Sequence, residues 1–221
     1  MEECGVILVD GTEVEYPNLS KLSREFILDP QAWVDHGDKI VGIFHTHPDG
    51  EPFLSAADRK CQVKTGLDWV LYTGGQRKTF KPVPHLLGRK FIYGTQDCYS
   101  LLVDAYHLTG IHVPSHPRGS LEADMDEEKI LKHIPHSFEK AGDLEDVEVG
   151  DIIVTAISGK ACHMAIYIGG GRVLHHESNK LSAREFLSDA WFRRVHSVWR
   201  HPEWKPECYL AWEEEFLNGD S

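Results

Sequence analysis

The chain has 221 residues, 41% of them hydrophobic, and a formal net charge of -12. That length suits one large domain or two small ones with an ordinary core, and the acidic balance without a Lys/Arg cluster argues against nucleic acid as a partner, since counterion release needs cations gathered against phosphates. No apolar run approaches the roughly 18 residues of a membrane span and no basic segment leads into an apolar one at the start, so neither a membrane span nor a secretory signal peptide is expected.

In chain order, Gly5 to Val9 predicts a strand, Asn18 to Arg24 an irregular polar stretch, and Asp29 to His36 a short helix. Ile40 to Phe44 is an apolar, β-branched run that predicts a buried strand. At its end His45 and His47 are two apart, so the pleat points both imidazoles to one side. Pro48 ends pairing, Asp49-Gly50-Glu51-Pro52 is turn chemistry, and Ser55 to Lys64 reads as a helix with Ser55 as N-cap and Asp58 in its first turn. Two imidazoles and a carboxylate give Zn²⁺ three protein ligands and leave a fourth position for water, the catalytic rather than the closed arrangement. Glu2 comes beside such a centre if the first strand packs against the Ile40 to Phe44 strand.

Further on, Leu67 to Leu71 and Arg77 to Val83 predict two strands around the Thr73-Gly74-Gly75 turn. Pro82 to Gly88 breaks the periodicity, and residues 84–88 read as a linker that separates residues 1–83 from a second domain at 89–221. In the second half Asp97 reads as the N-cap of a helix carrying Leu101, Leu102, Ala105 and Leu108 on one face and ending at Gly110. Cys98 sits at the first position of that helix, where free N–H groups and the dipole favour thiolate and lower its pKa. The acidic run Glu122 to Glu128 reads as the solvated face of a surface helix continuing to His133. Ile152 to Ala156 and His163 to Ile168 predict strands. Gly169-Gly170-Gly171 then turns the chain into Arg172 to His176, placing His163 and His175 at matching ends of a hairpin.

Ser182-Ala183-Arg184-Glu185 reads as a capping box before a helix to about Ala190, Val195 to Trp199 as a strand, and Tyr209 to Leu217 as a short helix. Trp199, Trp204 and Trp212 would either cover a domain edge or form a partner-binding face. Five cysteines at irregular spacing, with no Cys-x-x-Cys, point to a reducing compartment and mostly core positions.

Two family resemblances rest on these residues. The Glu2-x-Cys4-Gly5 run with His45-x-His47-Pro48, Ser55 and Asp58 resembles the JAMM-type zinc metalloproteases. That resemblance implies His45, His47 and Asp58 as zinc ligands, Glu2 as general base and Ser55 as a transition-state hydrogen-bond donor. Asp97-Cys98 at a helix start, Val147-x-x-Gly150-Asp151, and His163-x-Ala-Ile-Tyr-Ile-Gly with His175 twelve residues on look like NlpC-type cell-wall cysteine peptidases. There the resemblance implies Cys98 as nucleophile, His163 as base and His175 as the group orienting it, with His176 the competitor for the third role.

The expected fold class is therefore two-domain α+β and α/β. A JAMM-like mixed sheet with helices comes first, then a papain-like NlpC-type α+β domain whose helix-borne Cys packs on an antiparallel sheet. A JAMM-like domain followed by an NlpC-like one resembles the tail-tip assembly protein K family of long-tailed bacteriophages, as do Phe91-x-x-Gly94 ahead of Asp-Cys and Leu174-His175-His176. The resemblance implies a hydrolase of bacterial peptidoglycan stem peptides, working with other tail-tip and hub proteins in tail assembly, host-wall penetration or both. Its place would be the virion tail tip, the host cytoplasm during assembly, or both. A structural or assembly-chaperone role with idle sites, and an isopeptidase active through the zinc domain, are the alternatives. The family usually carries a helix ahead of Glu-x-Cys-Gly, whereas here Glu2 follows Met1 directly and is expected near a flexible terminus.

Overall fold

The computed structural model describes residues 1–217 except 24 and 127. Arg24, the end of the polar stretch, and Glu127, within the acidic run, thus lie outside the described residues. The chain divides into two units, Met1–Pro84 and His85–Ser221, each with its own sheet.

In the first unit the elements are β1 (Cys4–Leu8), β2 (Glu13–Tyr16), α1 (Gln31–His36), β3 (Ile40–His47), α2 (Ala56–Thr65), β4 (Asp68–Thr73) and β5 (Gln76–Phe80). The sheet order is β2-β1-β3-β4-β5. The apolar run at Ile40 makes β3 the central strand, antiparallel to β1 with Cys4 opposite His45, and parallel to β4 with His45 opposite Leu71. A parallel neighbour requires a crossover, and α2 supplies it. The short strand β2 has no apolar run to announce it; its pairing with β1, Cys4 opposite Tyr16, creates it. Gly5 is needed where β1 crosses under Phe44, since a Cβ there would come within 2.4 Å of that ring and 2.2 Å of the Val14 carbonyl oxygen. Val6, Ala32 and Ile40 bury together beneath Leu8, Val14, Tyr16, Leu28 and Leu67.

The second unit contains α3 (Cys98–Leu108), α4 (Leu121–Asp126), α5 (Lys129–His133), β6 (Glu139–Lys140), β7 (Ile152–Ile157), β8 (Lys160–Gly169), β9 (Arg172–His175), β10 (Ala183–Phe186), α6 (Asp189–Phe192), β11 (Val195–Arg200) and α7 (Leu210–Leu217). All pairings in its sheet, β10-β9-β8-β7-β11-β6, are antiparallel. Helix α3 packs against β8 with Leu101, Leu102 and Ala105 buried. Among the described residues no helix is long and apolar enough to cross a membrane.

Four local expectations are corrected. Ala183–Phe186 is strand β10, not the start of a helix, because its backbone pairs with β9, Glu185 opposite Val173, and sheet pairing overrides the capping pattern. The helix through the acidic run is interrupted: Glu128 adopts φ 49° and starts α5 afresh. Asp124, expected in water, is buried and accepts hydrogen bonds from Tyr93 Oη at 2.7 Å and Gly119 N at 2.9 Å while pairing with Lys129 at 2.6 Å. Of the five cysteines Cys4 and Cys208 are buried, Cys98 and Cys162 are partly buried, and Cys61 is exposed.

Val147-x-x-Gly150-Asp151 is structural. Asp151 is fully buried and held bidentately by Arg200, Nε at 2.7 Å and Nη2 at 2.8 Å. Gly150, at φ 96°, lies under the Trp204 ring, and its carbonyl accepts from Tyr106 Oη. Trp204 packs on Trp212, whose Nε1 donates to the Ala105 carbonyl at 2.7 Å, so these two aromatics cover the domain interior. A Cβ on residue 150 would meet Trp204 at 2.2 Å. Gly150→Ala is therefore expected to cost about 3 kcal/mol, from overpacking and left-handed strain. A fall of about 10 °C in Tm is the expected reading; a melt within a degree of wild type would mean that Trp204 moves aside freely.

Candidate active sites

The first centre is built on the end of β3 and the start of α2. The pleat brings His45 and His47 to one face, with Nε2 atoms 3.1 Å apart, and Asp58 Oδ2 lies 3.3 Å from His45 Nε2 and 3.4 Å from His47 Nε2. Asp58 reaches them because Ser55 caps α2: its Oγ accepts from Asp58 N at 3.3 Å and its N donates to Asp58 Oδ2 at 2.9 Å. Three ligands about 2.0–2.1 Å from one tetrahedral ion lie about 3.3 Å apart, so the three atoms already have the spacing that one Zn²⁺ would impose. His45 is fully buried, stacked on Phe26 at 4.7 Å. This donor set fits zinc.

Glu2 joins the cluster, with a carboxylate oxygen and ring nitrogens of His45 and His47 all within 4.8 Å of one another. It does not hang at a loose terminus. Its side chain is buried, and its backbone carbonyl accepts from Asn18 Nδ2 at 2.9 Å. Burial, with the Asp58 carboxylate adding to it and His47 opposing, raises the Glu2 carboxyl to about 7. Burial also pushes Asp58 upward, but its hydrogen bonds to His45, His47 and Ser55 win and hold it well below the usual carboxylate range. Ser55 gives its single hydroxyl proton to Asp58 Oδ2 at 2.6 Å, so in this arrangement it buttresses a ligand.

The second centre forms where α3 meets β8 and β9. Asp97 caps α3, its Oδ1 accepting from Ser100 N at 2.9 Å and its Oδ2 from Gly94 N at 2.6 Å, with Arg118 Nε at 3.0 Å. That cap fixes Cys98 at the helix start, in a cavity of about 270 Å³ that His163 also lines. The expected depression of its pKa is not found. Burial, then the Asp97 carboxylate, pushes the thiol up to about 12 against hydrogen bonds from the Met164 and Tyr99 N–H groups. Burial and His175 take His163 down to about 3. Cys98 and His163 therefore rest as a neutral thiol and a neutral imidazole.

His163 Nε2 lies 3.3 Å from His175 Nδ1, and His175 Nε2 lies 3.1 Å from Glu185 Oε2. A carboxylate accepts only, so His175 carries its proton on Nε2 and presents Nδ1 as acceptor. His163 must then donate from Nε2, which leaves its Nδ1 lone pair as the basic nitrogen. His176 is buried edge-on to Phe91, 5.3 Å between ring centroids. Glu185 escaped the sequence reading because Ser182 to Glu185 matched a helix start. The signal that would have found it is its pairing across from β9.

Residues 1–85 match the family of prokaryotic homologs of the JAB domain, and residues 88–200 match the NlpC/P60 family. The chain is 38% identical over 195 residues to the tail tip assembly protein K of Escherichia phage lambda, covering 83% of this chain and 94% of that protein. Similar solved structures include an NLP/P60 family protein, similar to lipoprotein, from Staphylococcus aureus subsp. aureus Mu50, with 20% identity, TM-score 0.38, and coverage of 52% of this chain and 37% of that one. Another is NlpC2 from Trichomonas vaginalis, with 16% identity, TM-score 0.38, and coverage of 90% of this chain and 69% of that one.

Proposed function

Because the chain belongs to the family of tail tip assembly protein K, we propose that it is a phage tail-tip hydrolase that cuts peptidoglycan stem peptides with Cys98, His163 and His175. The observation that carries the reading is the hydrogen-bonded series from His163 through His175 to Glu185 beside a cavity lined by Cys98. In this proposal the active domain is 89–221, joined by residues 84–88 to a zinc domain at 1–83.

The thiol proton passes to His163 Nδ1 as Cys98 Sγ attacks the amide carbonyl carbon, so thiolate forms only with substrate in place. N–H groups in the first turn of α3 are the donors for the oxyanion. The tetrahedral adduct collapses as His163 returns the proton to the leaving amine, giving a thioester that water hydrolyses with His163 again as base. His175 keeps the His163 tautomer, and Glu185 keeps that of His175.

In residues 1–83, His45, His47 and Asp58 would hold Zn²⁺, which when bound supplies a Lewis acid that acidifies water. Glu2, whose carboxyl is raised by burial beside this cluster, is the group placed to take up and release a proton there. This half would be a second hydrolase in tail assembly or wall opening.

Purified peptidoglycan incubated with wild type, Cys98→Ala and His47→Ala tests the reading. Wild type and His47→Ala are expected to release stem-peptide fragments and Cys98→Ala none above the no-protein control. Equal digestion by Cys98→Ala would exclude the cysteine mechanism, and no digestion by wild type would favour an assembly role with idle sites.

A further inference from the structure

Outside both centres, three histidines meet at one spot in the second unit. His116 comes from the segment after α3, His133 from the last turn of α5, and His136 from the turn that follows it. One ring nitrogen from each lies within 4.8 Å of the others. His116 and His133 stack at 4.0 Å between centroids, 16° from parallel, and His136 stands 5.9 Å from His116 and 6.0 Å from His133.

Two of these rings carry a buried nitrogen with no hydrogen-bond partner, His116 Nε2 and His133 Nδ1. Orphaned polar atoms of this kind cost on the order of 1–3 kcal/mol each, and a shared ion would satisfy them once one of the two stacked rings turns its nitrogen toward the other's plane. The third ring is already oriented: His136 Nδ1 lies 3.1 Å from the His133 carbonyl oxygen, donates to it, and so leaves Nε2 as the free acceptor. Of the cations near these rings, Lys129 is paired with Asp124 at 2.6 Å and Arg118 with Asp97 at 3.0 Å, while Lys132 precedes His133 on the same helix.

We propose that His116, His133 and His136 form a second, independent binding site for a divalent transition metal of the Zn²⁺ class. Neutral imidazoles suit Zn²⁺, Co²⁺, Ni²⁺ and Cu²⁺ and not Mg²⁺ or Ca²⁺, which take oxygen donors. Three histidines leave the remaining position open to water or to a carboxylate. His116 and His133 also line the cavity that holds Cys98, so an ion bound here sits in the wall of that cavity. The site draws on none of the proposed catalytic residues and stands or falls separately from the peptidase reading.

The test uses the full chain with His47→Ala, which disables the first centre, loaded with ZnCl₂ or CoCl₂, desalted and assayed by elemental analysis. About one equivalent should remain, with a four-coordinate Co²⁺ absorption band in the visible. Adding His136→Gln, an exposed position whose loss leaves the fold intact, should weaken binding at least about tenfold, and His116→Gln likewise. The same His136→Gln change in the otherwise wild-type chain should remove about one equivalent, which covers the case of a His47→Ala chain that does not fold. Retention of less than about a tenth of an equivalent by folded His47→Ala protein, or metal binding unaltered by His136→Gln in both backgrounds, overturns the proposal.

Discussion

Replacing His163 by Ala is expected to lower peptidoglycan hydrolysis by about 10²–10⁴-fold, the usual worth of a positioned general base. The expectation is at the upper end because burial pushes the Cys98 thiol up to about 12, so that it needs a base to take its proton at neutral pH. His175→Ala removes the acceptor that fixes the His163 tautomer and should cost nearly as much. Glu185→Gln should cost about tenfold, since its side chain is half exposed and water screens the charge. A readout beyond rate separates positioning from mere structure. The Glu185 carboxylate favours protonated His175, so its removal lowers the basicity of the His chain. The acid limb of the kcat/KM profile should therefore move to lower pH in Glu185→Gln, while Tm stays near wild type. An unchanged pH profile would remove Glu185 from the series, and wild-type rates in His163→Ala would remove the mechanism.

The second large effect is expected in the first unit on removing metal. Purified wild type should carry zinc at the His45, His47 and Asp58 centre, and stripping it with a chelator should lower the Tm of that unit. Binding that saturates about a thousandfold above Kd stabilises by about 4 kcal/mol. Asp58→Ala would confound the test by also removing the α2 capping box, worth about 1 kcal/mol. Asp58→Asn is the better variant, because it keeps volume and an acceptor for the Ser55 N–H while removing the charge a divalent ion requires. It should lower zinc content by about one equivalent and make the melt of the first unit indifferent to chelator. Zinc content and chelator response equal to wild type would show that Asp58 is no ligand.

The first centre was legible in the sequence because its parts are local. His45 and His47 share one strand end, and Ser55 and Asp58 share one helix turn, so offsets alone bring them to one place. Only Glu2 depended on tertiary structure, and pairing of β1 beside β3 places it. In the second half the Asp97 cap and the His163–His175 hairpin were readable for the same reason. What was not readable came from packing. Helix position argued for an acidic Cys98 thiol, but burial, which no residue spacing records, reverses the sign. Glu185 was hidden because a capping pattern and an edge strand look alike until a partner strand is present. Likewise Asp124 is charged and central, yet only the fold tells that Tyr93 and Lys129 close over it.

The side chains of the first centre all fall between residues 2 and 58, and those of the second between 98 and 185. Among the described residues, each set of side chains named here is drawn from one unit. On the proposed reading, a chain carrying His47→Ala should keep the cysteine chemistry and one carrying Cys98→Ala the zinc site, so a mixture of the two should supply both in trans.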